Sequence, residues 1–451
     1  MKPLLQNRLN RTADKGLFYC TLAMLFLPLI FVPGSPRDDF FYKPKFVVLT
    51  VLSIIACVLL LTKILTRDDA IKISVLDGMA VLFFGLCAIA ALLSVAPKRS
   101  IYGVMFRYEG LITQLGYAVC FFAASFSLLT KKRRTDFFRV LVLVTVLVSV
   151  YGMVQYLGLD PAPRDDKRFD IWWQYQSFAS LANPHYFADF LLLTITAFGL
   201  LVLGCNESLT KNAAVFGSVF LSFVSSIVRA GYFAAVVCGV VAMIIARKMG
   251  CLMWKRVVLL VVIILVAFSF VEIYGRLKRY YYTPLSKLGI MARADGGTEE
   301  QSLTGRSMVW AVALEAVFEH PLFGWGQETF FLQDKEIKGR IALSGQTVLP
   351  AVFDRAENQY LQVAYDCGIP AAIVYIVLIV LSVVLLIRFG LRSGVCLGNG
   401  TVKMGLVCAG LGIGVIGYGI EQIFSFATIN QAATFWLILG FASAIAKIGD
   451  E

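Results

Sequence analysis

The sequence predicts an all-α, polytopic membrane protein with about twelve transmembrane helices, and three observations lead there. Hydrophobic residues make up 59% of the 451 and charged residues only 16%, against about a quarter charged in an ordinary soluble domain. The apolar residues gather into runs of roughly 17–25, the length a helix needs to cross a bilayer core. Lys and Arg concentrate in alternate connections between those runs, as they do in cytoplasmic loops.

In chain order the predicted spans are 17–33, 45–65, 74–95, 110–130, 137–157, 178–204, 212–228, 231–247, 254–274, 369–387, 403–420 and 429–447. The first follows a basic N-terminus, as a signal peptide would. It ends in VPGSPRDD with no small-x-small cleavage site, so it reads as a retained helix. The sixth opens on Pro184, a residue suited to the first turn of a helix. The seventh is short and polar at its end. The basic connections are Lys63, Arg67 and Lys72; KKRR at 131–134; Arg247, Lys248, Lys255 and Arg256; and Arg388, Arg392 and Lys403. With twelve spans all of them fall on one side together with both termini, and that side is predicted to be cytoplasmic.

The resulting organisation is 1–274 as transmembrane helices 1–9, 275–368 as an extracytoplasmic helical segment, and 369–451 as transmembrane helices 10–12. The long segment has nearly balanced charge, two helix-like stretches and a Gly-rich gap, ADGGTEE. Long loops with helices of their own are usually functional. Internal repeats and low-complexity tracts are not apparent.

A net charge of +12 raises nucleic acid as a partner, but the loop pattern accounts for it, and no nucleic acid is expected. Six of the cysteines (Cys20, Cys57, Cys87, Cys120, Cys238 and Cys408) lie inside apolar runs, and Cys205, Cys251 and Cys396 beside them. They read as small hydrophobes rather than disulfides or zinc ligands. There are two histidines, His185 and His320, too few for a histidine metal site. Asp38 and Asp39 are adjacent and point apart on most backbones. No metal or other cofactor is expected.

The chemistry-bearing stretches all fall on the predicted outer face. In TGRSMVWAVALEAVFEHPLFGWG (304–326), Thr304 suits an N-cap, and His320, Pro321 and Gly324 end the helix. At 100° per residue Trp310, Ala313 and Val317 fall within about 40° of Arg306, with Glu315 and Glu319 opposite. Arg306 therefore shares the apolar face, and its charge opposes the helix dipole. A bound anion would resolve both conflicts; snorkelling to headgroups or a local acid is the alternative. SFVSSIVRAGYF puts Arg229 at the outer end of the seventh span, where an arginine directed at the bundle interior is a functional candidate and an interface anchor the alternative. In VFDRAENQYLQVAYDCGIPA (352–371), Glu357, Tyr360, Leu361, Ala364 and Tyr365 recur at helical spacing. Glu357 is a candidate general base at the membrane boundary, or simply an acid favourable to a helix N-terminus. Arg355 and Asn358 flank it and are candidate substrate ligands. Arg107, beside Glu109 before the fourth span, and Asn183 and His185 at the start of the sixth complete the set. Arginines around one carboxylate at a bilayer surface suit a lipid-linked phosphate or diphosphate.

The stretches RYEGLITQLGY, SFASLANPHYFADFLL, SSIVRAGY, GRSMVWAVALEAVFEHPLFGWG and ENQYLQVAYDCGIPA, in this order over about 100–370, resemble the O-antigen ligase and polymerase family. These are bacterial membrane glycosyltransferases that use undecaprenyl-diphosphate-linked saccharides. The resemblance implies that Arg229 and Arg306 bind the diphosphate of the donor. It implies a catalytic histidine before the asparagine of the ENQYLQ segment, where this chain has Glu357. Glutamate can accept a proton as that histidine does, but cannot stabilise an anion as imidazolium could. The partners implied are a polyprenyl-diphosphate-linked glycan donor, a glycan, lipid or protein acceptor, and membrane lipid. The location implied is the cytoplasmic membrane of a bacterium. Ligase and polymerase differ in the acceptor, which these motifs do not separate. A transporter or flippase of lipid-linked glycans would also need cationic groups, but along a mid-membrane path and often with inverted repeats. The span centres are nearly charge-free, with Glu272 near a span end. A non-catalytic member of a polysaccharide assembly complex is the third reading, kept open by Glu357.

Overall fold

A computed structural model describes residues 2–32, 40–66, 72–104, 107–160, 176–205, 208–282, 303–343, 352–393 and 404–448. Arg67, Asp38, Asp39, Lys403, Cys396 and the ADGGTEE stretch lie outside the described residues. The described chain is helical, without strands. Its helices are α1 (Lys2–Met24), α2 (Tyr42–Leu65), α3 (Val75–Leu92), α4 (Pro97–Tyr102), α5 (Leu111–Ser127), α6 (Lys131–Tyr156), α7 (Pro184–Gly204), α8 (Leu209–Ser225), α9 (Arg229–Lys248), α10 (Trp254–Tyr282), α11 (Leu303–Glu319), α12 (Asp334–Leu343), α13 (Gln359–Cys367), α14 (Ile369–Ser393), α15 (Met404–Glu421) and α16 (Ala432–Ile448).

Each predicted span has its helix. Eight are long and apolar enough to cross a membrane, and α5, α8 and α16 are shorter apolar helices of the same bundle. The chain is an all-α polytopic membrane protein. The first span is displaced: its helix starts at Lys2 and stops at Met24, giving way to a 3-10 turn at Leu27–Leu29. Pro28 in that turn lacks the N–H that another α-helical turn would need. The seventh span, α8, is 17 residues long, short as expected. One helix was not visible in the sequence: α12 has no apolar run to announce it. It is tied to α11 by a two-pronged contact from Arg340 to Glu315, 2.9 and 2.6 Å.

The centre of the bundle is α7 against α15, both almost wholly buried. In α15 glycines bring the two backbones together: an added Cβ at Gly410 would overlap the Ala197 backbone, and one at Gly414 the Leu193 carbonyl. Small residues are the usual means of close helix approach in lipid, where no hydrophobic gain separates helix from tail. In contrast α2, α9 and α10 leave most of their apolar surface outward, toward lipid.

The two ends of the bundle differ in charge chemistry. At one end basic side chains take up helix C-terminal carbonyls. Lys63 donates to Phe126 O at 2.7 Å, Arg133 to Ser127 O at 3.0 Å, Arg134 to Leu129 O at 2.9 Å and Lys447 to Ser125 O at 3.3 Å, all around the end of α5. Arg256 donates to Leu203 O at the end of α7. Cations belong at such ends, where carbonyls lack helical partners. Asp14 receives Lys63 and Arg133, each at 2.5 Å, and Asp77, in the Ser74 capping box of α3, receives Lys447 at 2.9 Å. The described residues of the basic loops thus gather at one end, and the candidate site lies at the other.

Gly410→Val is expected to force α7 and α15 apart, costing about 1–3 kcal/mol or more. The check is a lower apparent melting temperature and loss of a single species on gel filtration in detergent.

Candidate functional site

Five segments meet at the end of the bundle opposite the basic loops: the turn before α5, the first turn of α7, the first turns of α11, residues 352–359, and the 421–431 connection between α15 and α16. Their frame is a buried ion cluster. Arg355, 4% exposed, pairs with Glu328, itself 3% exposed, and lies 4.0 Å from Asp366. Its guanidinium sits 5.6 Å from the Phe426 ring centre, with the Arg107 guanidinium 5.0 Å from the same ring. Burial works against the charge of Arg355, but Glu328 and Asp366 outweigh it and hold the guanidinium firmly ionised. Burial pushes the Asp366 carboxyl up to about 7, with Arg355 pulling the other way.

The turn that carries Glu328 is fixed by PLFGWG. Trp325 N–H donates to Tyr365 O at 2.8 Å and Gly326 N–H to Asp366 O at 3.0 Å, while Ile369 N–H donates to Pro321 O at 2.8 Å. Gly324 and Gly368, at φ 68° and 87°, lie so close to the opposing backbone that a Cβ on either would collide with it. Arg99 and Ser100 of α4 hold the same turn through the carbonyls of Glu328 and Gln327. The motif that first drew attention to the 304–326 stretch thus clamps the extramembrane helices to the α13–α14 junction.

Glu357 follows two residues after Arg355. The expected helical position for it is wrong: α13 begins at Gln359, and Asn358 is its N-cap, accepting from Tyr360 N–H at 3.0 Å and Leu361 N–H at 3.1 Å. Glu357 therefore sits outside the helix, with φ 50° in the left-handed region. The cause is the cap itself, which requires the chain to enter the helix from a non-helical conformation. Burial pushes the Glu357 carboxyl above the ordinary glutamate range, and Arg306, Arg107 and His185 pull it back without reversing the direction. Those three residues and Glu357 are the part of the predicted set that the fold brings together.

Arg306 is half-buried, in the first turns of α11, and makes no hydrogen bond or ion pair among the described residues; Glu357 is its electrostatic neighbour. Its predicted face holds, since Ala313 and Val317 are buried, Trp310 is half-buried, and Glu315 and Glu319 are exposed. Thr304 lies within the helix rather than at its N-cap: α11 already starts at Leu303, two residues before the start that a Thr304 cap implies, a difference of the kind that helix ends often show. Arg107 pairs with Asp354 at 3.1 Å. His185 Nδ1 lies 2.6 Å from Glu421 Oε1. Asn183 caps α7 by accepting from His185 N–H at 2.8 Å, so Asn183 and Asn358 hold helix starts with their side-chain oxygens. Glu109 is buried beneath the site, accepting from Ile429 N–H at 2.5 Å and from the Tyr117 hydroxyl at 2.9 Å. Burial pushes it up to about 8, against the pull of Arg355.

Arg229 departs from expectation. It is the first residue of α9 and is exposed. It heads a stripe of exposed Phe233, Val236, Val240 and Ile244, spaced as one helix face, so it points outward rather than at the bundle interior. It is still at the site's end of the bundle: a Cβ added at Gly231, two residues on, would lie beside Phe223 of α8 and Ala188 of α7. The face of α9 that carries Gly231 is thus turned toward its neighbours, and Arg229 is turned away.

Glu421, Asp354, Phe426 and Glu328 were missed by the sequence reading. Glu421 had a signal: GIEQIF places an acid at the outer end of a predicted span. A small cavity of about 40 Å³ is lined by Arg355, Glu109, Tyr117, Gln359, Gln362 and Asp366 among others; Glu357, Arg306 and His185 are not among its walls.

Residues 213–376 match the family model described as O-Antigen ligase. That stretch of the chain is therefore similar to the O-antigen ligase domain. The matched region contains Arg229, Arg306, Arg355, Glu357 and Asn358, while Arg107, Asn183 and His185 lie before it. No curated protein matches the chain.

Arg355→Met is expected to lower stability by about 3–5 kcal/mol, because it strands Glu328 and Asp366 buried and unpaired. Replacing all three by apolar residues of similar volume should recover most of the loss, as denaturant titration in detergent would show.

Proposed function

We propose that this protein transfers a saccharide from a polyprenyl-diphosphate-linked donor to an acceptor hydroxyl at the outer face of the bacterial cytoplasmic membrane, with both termini in the cytoplasm. The O-antigen ligase domain supports the coarser statement, a role in surface polysaccharide assembly. The observation that carries the finer one is Arg306, a half-buried cation with no counter-ion in contact among the described residues, set beside the carboxylate of Glu357.

In this reading the diphosphate of the donor docks between Arg306 and Arg107, with Arg229 at the lipid edge meeting the headgroup first. The guanidinium groups neutralise the charge that develops on the diphosphate as the glycosidic C–O bond breaks. Glu357 takes the proton of the acceptor hydroxyl, whose oxygen attacks the anomeric carbon from the opposite side, so the configuration inverts. Arginines supply the positive charge, and no divalent metal is required. Arg355 is closed by its own acids and serves as the anchor of the loop; Asn183 and Asn358 serve as caps beneath it. The transporter reading is disfavoured by charge placement: the buried Lys45, Asp77, Asp189, Arg256 and Lys447 lie in the first or last turns or two of their helices, leaving no charged path through the middle.

Arg306→Ala should fold normally and lose about 10²–10³ in kcat, the cost of one donor to a developing anion. Purified protein in lipid with a polyprenyl-diphosphate saccharide is the assay, and full activity in this variant, or strict dependence on a divalent metal, overturns the reading. The raised position of Glu357 sets the pH dependence. A carboxyl raised above the usual range binds its proton at a higher pH, so the basic form, and with it transfer, should fail on acidification sooner than for an ordinary glutamate. Glu357→Gln should abolish that limb of the pH–rate profile together with most of the rate.

A further inference from the structure

Glu421 is fully buried at the end of α15, yet its carboxylate reaches His185, whose side chain is 32% exposed, at 2.6 Å. His185 is the second residue of α7, a place where a positive charge opposes the helix dipole; a buried carboxylate in contact is the counter-charge that permits it. The Glu421 side is built in depth. Asp189, one turn further along α7, is in side-chain contact with Glu421 and accepts from Gln422 at 2.6 Å and Gln431 at 3.5 Å. Asp189 Oδ1 and Glu421 Oε2 are each left without a hydrogen-bond partner. His185 is also an electrostatic neighbour of Glu357. The charged groups around the imidazole are therefore Glu421 from α15, Asp189 from α7, and Glu357 from the 352–358 loop with Arg107 and Arg306 beyond it.

We propose that Glu421 and His185 form a proton-accepting pair that serves Glu357. Glu421 accepts the Nδ1 proton and so fixes the tautomer, leaving Nε2 as the basic nitrogen turned to the site. When the acceptor oxygen forms its bond to the anomeric carbon and the bond to the diphosphate breaks, its proton passes to Glu357 and then to Nε2. The imidazolium is neutralised by Glu421, and its proton leaves to water as product departs. The pair thereby returns to the site an imidazole that the 357 position lacks. His185 and Glu421 act through Glu357 and are positioning residues. The inference rests on the reading of Glu357 as the base.

The chain has two histidines, so His320→Gln leaves a protein whose single imidazole is His185. In that background, nitrogen-15 NMR of the full-length protein in lipid should show the neutral ring protonated at Nδ1, and Glu421→Gln should shift it toward the Nε2-protonated form. A ring protonated at Nε2 and indifferent to Glu421→Gln overturns the pairing. In the transfer assay, His185→Asn and Glu421→Gln should each lower kcat by about 10²-fold, the lower range for general acid–base groups, with the KM for donor little changed and the pH–rate profile altered. The double variant should be no worse than either single one, as for residues acting as a unit; additive losses or an unaltered pH profile overturn the relay. Glu357→Gln run in parallel separates the two claims. If it is inactive while His185→Asn transfers normally, the relay alone falls; if it transfers normally, the base reading falls and takes the relay with it.

Discussion

The burial of one guanidinium orders the rest of this site. Arg355 is enclosed by the bundle, and a charge in such a place persists only if its partners are held as firmly as it is. Glu328 and Asp366 meet that condition, and each comes from a different part of the extramembrane region. The pairing therefore fixes the PLFGWG turn, the start of α13 and the loop between them as a single unit. Asp354, one residue before Arg355, holds Arg107; Glu357, two residues after, is presented to Arg306. A closed set of charges thus positions an open one, and the distinction between the two is physical: closed charges have their counter-ions in contact, and open ones await a ligand.

The same logic separates the two ends of the bundle. At the basic end, Lys63, Arg133, Arg134 and Lys447 converge on the carbonyls that terminate α5. The loop charge that orients a chain during insertion here also caps a helix. At the other end the helix starts are capped by neutral Asn183 and Asn358. Of the cations at that end, Arg107 and Arg355 are taken up by Asp354 and Glu328, while Arg306 makes no ion pair among the described residues and stays available for an anion.

The spans were legible because a bilayer imposes one length and one composition on whatever crosses it. The face of Arg306 was legible for a similar reason, since a helix repeats every 3.6 residues whether or not its partners are known. What escaped was long-range. Glu421 meets a histidine 236 positions away, and no local pattern encodes that distance. Arg355 looks in sequence like a neighbour of Glu357 with the same task, and only the acids folded around it reveal a different one. Asn183 and Asn358 sit where a substrate ligand could sit, but each also precedes a helix, and the local hydrogen bonds to the cap decide the matter. Arg229 was placed at the correct end and on the wrong face, because which face of α9 meets α7 and α15 is set by long-range packing that the local sequence does not encode.

Backbone strain marks the same set of residues independently. Tyr108 at φ 58°, Ile227 at 54°, Glu328 at 62° and Glu357 at 50° are non-glycine residues in the left-handed region, a conformation that costs an L-residue roughly 1–2 kcal/mol and that a β-branched residue such as Ile227 adopts rarely. Each lies at or beside a charged group of the site: Tyr108 next to Arg107, Ile227 two residues before Arg229, Glu328 in the pair with Arg355, and Glu357 itself. Strain of this kind survives only where surrounding contacts over-determine the conformation, and here the Arg355 cluster and the asparagine caps do so. A loop free to relax would turn these side chains toward water and lose the field that the arginines create at Glu357. In the proposed reading, the strained turn keeps the Glu357 carboxylate within the field of Arg306 and Arg107, where a phosphate would dock.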